Sequence, residues 1–266
     1  MNARRHSVAD FVDSLQKKGR YCFAKGEVAH DTGLKEPVLN LALWRLARKR
    51  RVVLVRRCFY VIVPLEYAAT GVLPPEWFIA DLMRHVKQPY YVGVLTAAAL
   101  HGAGHQQPQE FHVVGPKAQR AVRMGGLRIR FFKKTAMRRS AVVEWKTPTG
   151  TMHVSDPAVT ALDLIRYADE VGGIGAVYPM LCDLRGKMTA PMLAAAARRE
   201  PRLAYVQRLG CLLDRTEGER LTDAMQAWVC KQNPCVVALD PSVPRRGHPH
   251  DPRWRVVVNA DTSEEA

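Results

Sequence analysis

The stretch from Arg20 to Val63 restricts the fold more than any other part of the chain. Tyr21-Cys22-Phe23 reads as a short strand and Lys25 to Thr32 as a helix. Gly33 then supplies a tight turn, because glycine enters the left-handed region without steric cost. Pro37 suits the first turn of a second helix, where its missing N–H removes no bond. That helix, running to about Lys49, spaces Leu39, Ala42, Leu43 and Leu46 at i, i+3, i+4 and i+7, a single stripe to bury. Two β-rich runs follow, Val52 to Val55 and Cys58 to Val63, separated by Arg56-Arg57. This is the pattern of a winged helix-turn-helix with an arginine-tipped hairpin as its wing. No Asn-Gly or Gly-Gly pair marks the tip, so the turn type stays open. Lys35 and Asn40, near the start of the second helix, are the side chains expected at base edges. Arg45, Arg48, Arg56 and Arg57, with Lys49 and Arg51 of the same basic run, are expected on phosphates. Winged domains that bind only protein share this order of elements. The concentration of cations where the fold would present them favours duplex DNA.

Charge divides unevenly along the 266 residues, which carry a net +15. Residues 1–63 hold 14 Lys/Arg against 5 Asp/Glu, and residues 116–146 hold 10 against 1, so each block is +9. The segments 64–115 and 147–266 come to −2 and −1. Two basic blocks on a near-neutral body imply a polyanion as partner and a steep salt dependence. The second block contains Arg128, Arg130, Lys133, Lys134, Arg138 and Arg139, which continue a DNA track, meet a partner, or form a solvated basic sheet face.

The rest of the chain reads as a second, α+β domain, 65–266, after a winged domain over 1–64. Residues 5–18 place Val8, Phe11, Val12 and Leu15 on one helical face, with Ser7 and Asp10 as a capping-box pair and Gly19 as terminator. Beyond the wing come a helix at 76–86 and an alanine-rich helix near 94–102. Strands are expected at 110–114, 126–132, 142–145 and 152–154. Helices at 157–168, 173–184, 189–197, 201–213 and 217–231 follow, then strand-like runs at 236–239 and 254–258. Strands followed by helices indicate α+β rather than α/β. No apolar run reaches membrane-spanning length, and the start leads into a helix without an apolar signal core, so a cytoplasmic protein is expected.

No phosphate-binding loop, nucleophile elbow or dinucleotide fingerprint is present. The glycines of Val171-Gly172-Gly173-Ile174-Gly175 lie between helices and read as a connector. His101 and His105 have a ligand-like spacing, but Gly102 and Gly104 break the helix that would align them. His248-Pro249-His250-Asp251 reads as surface loop, and Asp156, Asp163 and Asp169 as caps or exposed helix positions. The six cysteines form no C-x-x-C pair and are expected reduced and buried. Neither a metal, a cofactor nor a catalytic constellation is expected.

Several motifs in order carry a resemblance. They are Tyr90-Tyr91-Val92-Gly93 with Ala97-Ala98-Ala99-Leu100-His101-Gly102, then Phe111-His112-Val113-Val114. The run Val154-Ser155-Asp156-Pro157-Ala158-Val159-Thr160-Ala161-Leu162-Asp163 comes next, with Val206-Gln207-Arg208-Leu209-Gly210-Cys211-Leu212-Leu213 and Trp254-Arg255-Val256-Val257-Val258-Asn259 after it. Behind a winged helix-turn-helix, this order resembles the AbiEi-type antitoxins, the regulator half of type IV toxin–antitoxin systems. Proteins of that family often place glycine before the aromatic residue of the wing, where this chain has Cys58 before Phe59. The resemblance implies a non-enzymatic repressor binding inverted repeats at its own promoter, as two copies on DNA. It also implies antagonism of a cognate nucleotidyltransferase toxin, more by indirect action than by a stable complex. The competing reading is a nucleic-acid-processing enzyme or RNA-binding protein with a DNA-binding N-terminal part.

Overall fold

Helix α1 (Val8–Lys17) opens on the expected capping box: the Ser7 hydroxyl accepts from the Asp10 amide at 3.1 Å, and the Asp10 carboxylate accepts from the Ser7 amide at 3.0 Å. In this computed structural model, which describes residues 7–104, 108–137, 140–216 and 221–261, the chain is α+β with three sheets. Strand β1 (Cys22–Ala24) leads into α2 (Lys25–Thr32), and Gly33 at φ +64° turns the chain toward α3 (Glu36–Arg48), with Pro37 in its first turn. Strands β2 (Val52–Arg56) and β3 (Phe59–Ile62) complete an antiparallel sheet of order β1-β3-β2. Leu39, Leu43 and Leu46 of α3 pack on Val8, Phe11, Val12 and Leu15 of α1 and on Phe23, Val52 and Ile62 of this sheet.

The hairpin turns one residue later than the sequence suggests. Arg56 pairs with Phe59, so the turn is Arg57-Cys58, and the register shifts between Leu54 and Arg56. Cys58 takes φ +61°, the left-handed conformation that glycine or asparagine normally supplies in such turns. Its carbonyl accepts from the Lys25 amide at 2.8 Å, which pins the turn to the start of α2.

Past Pro64, the helix expected over 76–86 is two pieces, a 3₁₀ turn (Pro75–Trp77) and α4 (Ile79–His85), separated at Phe78. The main sheet has six strands in the order β6-β7-β5-β4-β9-β8. They are β4 (Tyr91–Val92), β5 (Phe111–Gly115), β6 (Val122–Met124), β7 (Leu127–Lys133), β8 (Val142–Thr147) and β9 (Gly150–Ser155), with α5 (Val94–Leu100) after β4. The sheet is mixed: β4 runs parallel to β9 and β5 to β7, while the β4–β5, β6–β7 and β8–β9 pairs are antiparallel. The sequence did not reveal β4 or β6, which are too short for period-two alternation to show. Helices α6 (Pro157–Arg166), α7 (Gly173–Arg185), α8 (Ala190–Arg199), α9 (Leu203–Leu213) and α10 (Asp223–Lys231) follow; residues 217–220 of the longer helix expected at α10 lie outside the described residues. A small sheet of order β10-β12-β11 ends the fold, from β10 (Val237–Ala238), β11 (His250–Asp251) and β12 (Val256–Val257).

The inner strands of the six-stranded sheet are buried on both faces, while edge strand β8 is largely exposed. Tyr91, Val114 and Phe132 face a core with α6, α7 and α9, whereas Val92, Val113, Ile129 and Val154 face a second core. That second core includes Phe78, Ile79, Leu82 and Met83, and also Cys22, Val55, Phe59 and Val61 of the N-terminal sheet. The N-terminal sheet is therefore packed on both faces, and the core runs across the expected boundary near residue 64.

The small C-terminal sheet is anchored by Trp254, which is fully buried against Gly210 of α9. A Cβ on Gly210 would lie 2.4 Å from three atoms of the indole ring. The indole N–H donates to Asp214 at 2.6 Å, and the Gln207 amide donates to the carbonyls of Trp254 and Cys235, each at 2.9 Å. Gly210→Ala is expected to lower stability by about 1–3 kcal/mol or more through overpacking. Chemical denaturation measures this, and a loss below about 0.5 kcal/mol would contradict the packing described.

Candidate nucleic-acid interface

Helix α3 buries Leu39, Leu43 and Leu46, so helical periodicity fixes what it shows to solvent. The row opposite those leucines is Pro37, Leu41, Trp44, Arg45 and Arg48, all exposed. Lys35 is the N-cap residue, and it and Lys49 are exposed at the two ends. Asn40 is exposed on one flank, one turn before Trp44, rather than on the outermost row. The start of α3 is held by the Lys25–Glu36 ion pair at 2.6 Å, which neutralises the one carboxylate of the helix. Lys35, Arg45, Arg48 and Lys49 form no ion pair among the described residues. Arg51 differs: it pairs with Asp13 and ties the end of α3 to α1.

The two hairpin arginines separate in role. Arg57 is exposed at the turn, with its carbonyl 3.0 Å from His85 Nε2 of α4. Arg56 reaches the six-stranded sheet instead, where its guanidinium donates to the Arg120 carbonyl and lies 5.3 Å over the Phe131 ring. Partial burial lowers its pKa from the usual arginine value. The Phe59–His85 contact at 5.1 Å and the Tyr21–Trp77 contact at 5.1 Å add to the same junction. Lys117, Arg120 and Arg123 are exposed on edge strand β6 and the loop before it, and β6 packs beside β2. That these three cations adjoin the hairpin could not be read from the residues alone, because β6 is too short to show a period.

Much of the second basic block is neutralised from a distance in sequence. Arg128 pairs with Glu110, Arg130 with Glu170, and Lys134 with Asp163 at 2.7 Å. Lys134 and Asp163 are 5% and 0% exposed at their side chains, so neither lies on a surface. This corrects two expectations: Lys134 as a patch residue, and Asp163 as a cap or exposed position. The Tyr91 hydroxyl also donates to Asp163, at 2.7 Å, and burial followed by that carboxylate raises its pKa well above the usual tyrosine value. Lys133 is exposed, and Arg138 and Arg139 lie outside the described residues. Asp156 does cap α6, accepting from the Val159 amide at 2.7 Å.

The remaining candidates resolve into structure. His101 is buried with Nε2 2.7 Å from the Ser155 carbonyl, and His105 lies outside the described residues. His248 and His250 are exposed, the latter on β11. All six cysteines are free, but Cys58, Cys230 and Cys235 are exposed, contrary to the expectation that they are buried; they lie in the hairpin turn, on the solvent side of α10 and in the loop before β10. No cluster of three His, Cys, Asp or Glu side chains is placed to hold a metal ion among the described residues. No helix among them is long and apolar enough to cross a membrane.

Comparison with known proteins matches residues 91–215 to the family model described as AbiEi antitoxin C-terminal domain. These residues are an AbiEi antitoxin C-terminal domain. The RV2827C protein from Mycobacterium tuberculosis, known from a crystal structure, shares the fold at TM-score 0.67 and 15% identity, over 94% of this chain and 90% of that one. No curated protein matches the sequence. Within the AbiEi domain, the motif residues Tyr91, Gly93, Asp163 and Gly210 serve packing. Gly93 leaves no room for a side chain, since a Cβ there would meet Val114 at 2.7 Å.

Two predictions follow the buried groups of the AbiEi domain. Lys134→Met leaves the Asp163 carboxylate buried without its cation and is expected to cost about 3–5 kcal/mol, with Lys134→Met/Asp163→Leu recovering part of it. Denaturation of the single and double variants checks this; equal losses would remove the argument. His112 is 3% exposed, beside Phe132 and 3.8 Å from Glu110. Burial, then the charges of Arg130 and Arg128, lowers its pKa to about 4. The unfolded chain, with an ordinary histidine pKa, binds this proton first as pH falls. Stabilisation from neutral His112 is thus complete above about pH 6.5 and is lost between there and about pH 4, by roughly 3 kcal/mol. The stability difference between wild type and His112→Phe, followed across that window, is expected to change by this amount.

Proposed function

We propose that this chain is a DNA-binding antitoxin that represses its own operon, with α2 and α3 as a helix-turn-helix and β2–β3 as its wing. The observation that carries the reading is the solvent face of α3. Four cations without carboxylate partners, Lys35, Arg45, Arg48 and Lys49, border one exposed helix, with Arg57 at the hairpin turn beside it. A duplex presents phosphates to both sides of a helix lying in its major groove, which is the arrangement such a border fits. The exposed Lys117, Arg120 and Arg123 of the second part extend the border past the hairpin. Two copies on an inverted repeat are the expected assembly, because helix-turn-helix proteins commonly pair half-sites. The AbiEi domain supports a cognate nucleotidyltransferase toxin as functional partner, and no catalytic role for this chain.

Affinity for duplex DNA measured against salt concentration tests the reading. Arg57→Ala is expected to weaken all duplexes alike and to flatten the salt slope by about one unit. Arg56→Ala is expected to leave that slope nearly unchanged and to lower thermal stability, since its partners are Arg120 and Phe131. Folded protein that binds no duplex at low salt would end the proposal. Growth rescue on co-expression with a nucleotidyltransferase toxin encoded beside this gene is the expected result for the antitoxin half, and a neighbouring gene of another kind, or no rescue, would remove that half separately.

A further inference from the structure

Cations alone do not account for the face of α3. Val38 and Trp44 are each 54% exposed and Leu41 is 47% exposed, and none of the three belongs to a hydrophobic core. Leu54, on the strand that packs against α3, is 53% exposed. Isolated apolar side chains on a surface need no explanation, but a row along one helix marks a contact face. Leu41 and Trp44 lie on the outward row of α3, and the Arg48 guanidinium lies 5.1 Å over the Trp44 ring. The occupant of the face must offer apolar groups inside a negatively charged frame. A second copy of this chain does not, because it would bring Lys35, Arg45, Arg48 and Lys49 against their own counterparts, and like charges across an interface disfavour it. The major groove of DNA does: among base edges it presents one apolar group, the C5-methyl of thymine.

We propose that Leu41 and Trp44 select the operator by packing on thymine C5-methyl groups, so that this helix reads thymine-bearing half-sites through apolar contact as well as hydrogen bonding. The inference rests on the DNA-binding reading above and assigns the base-selecting role to residues beside Asn40. Val38 lies on the opposite flank and is not assigned a base.

The test uses the full chain and a duplex it enriches from a randomised pool. Replacing thymine by uracil in that duplex removes the methyl and nothing else. Wild type is expected to lose about fourfold in affinity for each methyl contacted. Leu41→Ala and Trp44→Ala, both at positions outside the cores, are expected to fold normally and each to lose part of the difference between thymine and uracil duplexes, and the double variant all of it. Arg48→Ala is expected to weaken both duplexes and keep most of the difference between them. Equal binding of thymine and uracil duplexes by wild type would overturn the proposal while leaving DNA binding intact. So would a change of oligomeric state in the Leu41 or Trp44 variants with the thymine preference unchanged. Failure to enrich any duplex would take down both readings together.

Discussion

The β2–β3 hairpin is buried from both sides, and the arrangement of the whole molecule follows from that. On one face Val52 and Ile62 pack with the leucines of α3 and the apolar side of α1. On the other, Val55, Phe59 and Val61 pack with α4 and the six-stranded sheet. Alternation of side chains across a strand makes this possible with four or five residues to a strand. The polar contacts point the same way. The Arg56 guanidinium donates to the Arg120 carbonyl, and the Arg57 carbonyl meets His85, so polar groups that a free hairpin would leave to water are satisfied by the second part of the chain.

A second constraint sits under the main sheet. Asp163 is inaccessible to solvent and holds Tyr91 of β4 and Lys134, the residue after β7. Removing either partner leaves a charge or hydroxyl in a medium that penalises it, so the three residues specify how α6 meets β4 and the end of β7. Arg166 and Glu200, and Arg130 and Glu170, repeat the device nearer the surface. The density of such pairs explains why a segment with ten basic residues and one acidic presents far less free charge than its composition implies.

Local rules carried the sequence reading where their causes are local. The capping box at Ser7, the turn at Gly33, the stripe Leu39–Leu43–Leu46 and the Asp156-Pro157 helix start all depend on residues within a few positions of one another, and each is found in the structure. What was not legible depended on distant partners. Strands β4 and β6 are too short to show a period and exist because long neighbours pair with them. Arg56 looked like Arg57, and only the position of Phe131 separates them. Lys134 looked like Lys133 until Asp163 was placed beside it. On α3 the signal is local: stepping about 100° from the buried leucines puts Leu41 and Arg48 outermost, Trp44 next to them and Asn40 at the side.

The closed hairpin also bears on the thermodynamics of recognition. A reading head on a flexible linker loses orientational freedom when a ligand touches it and its neighbouring domain at once, and that loss subtracts from affinity. Here α3, the Arg57 turn and the edge strand carrying Arg123 already have their mutual positions set by shared core. The ordering cost falls on folding instead of on association. A rigid span of this kind discriminates sharply by distance, favouring a ligand whose charges recur at the matching interval and gaining little from one that must bend to reach them.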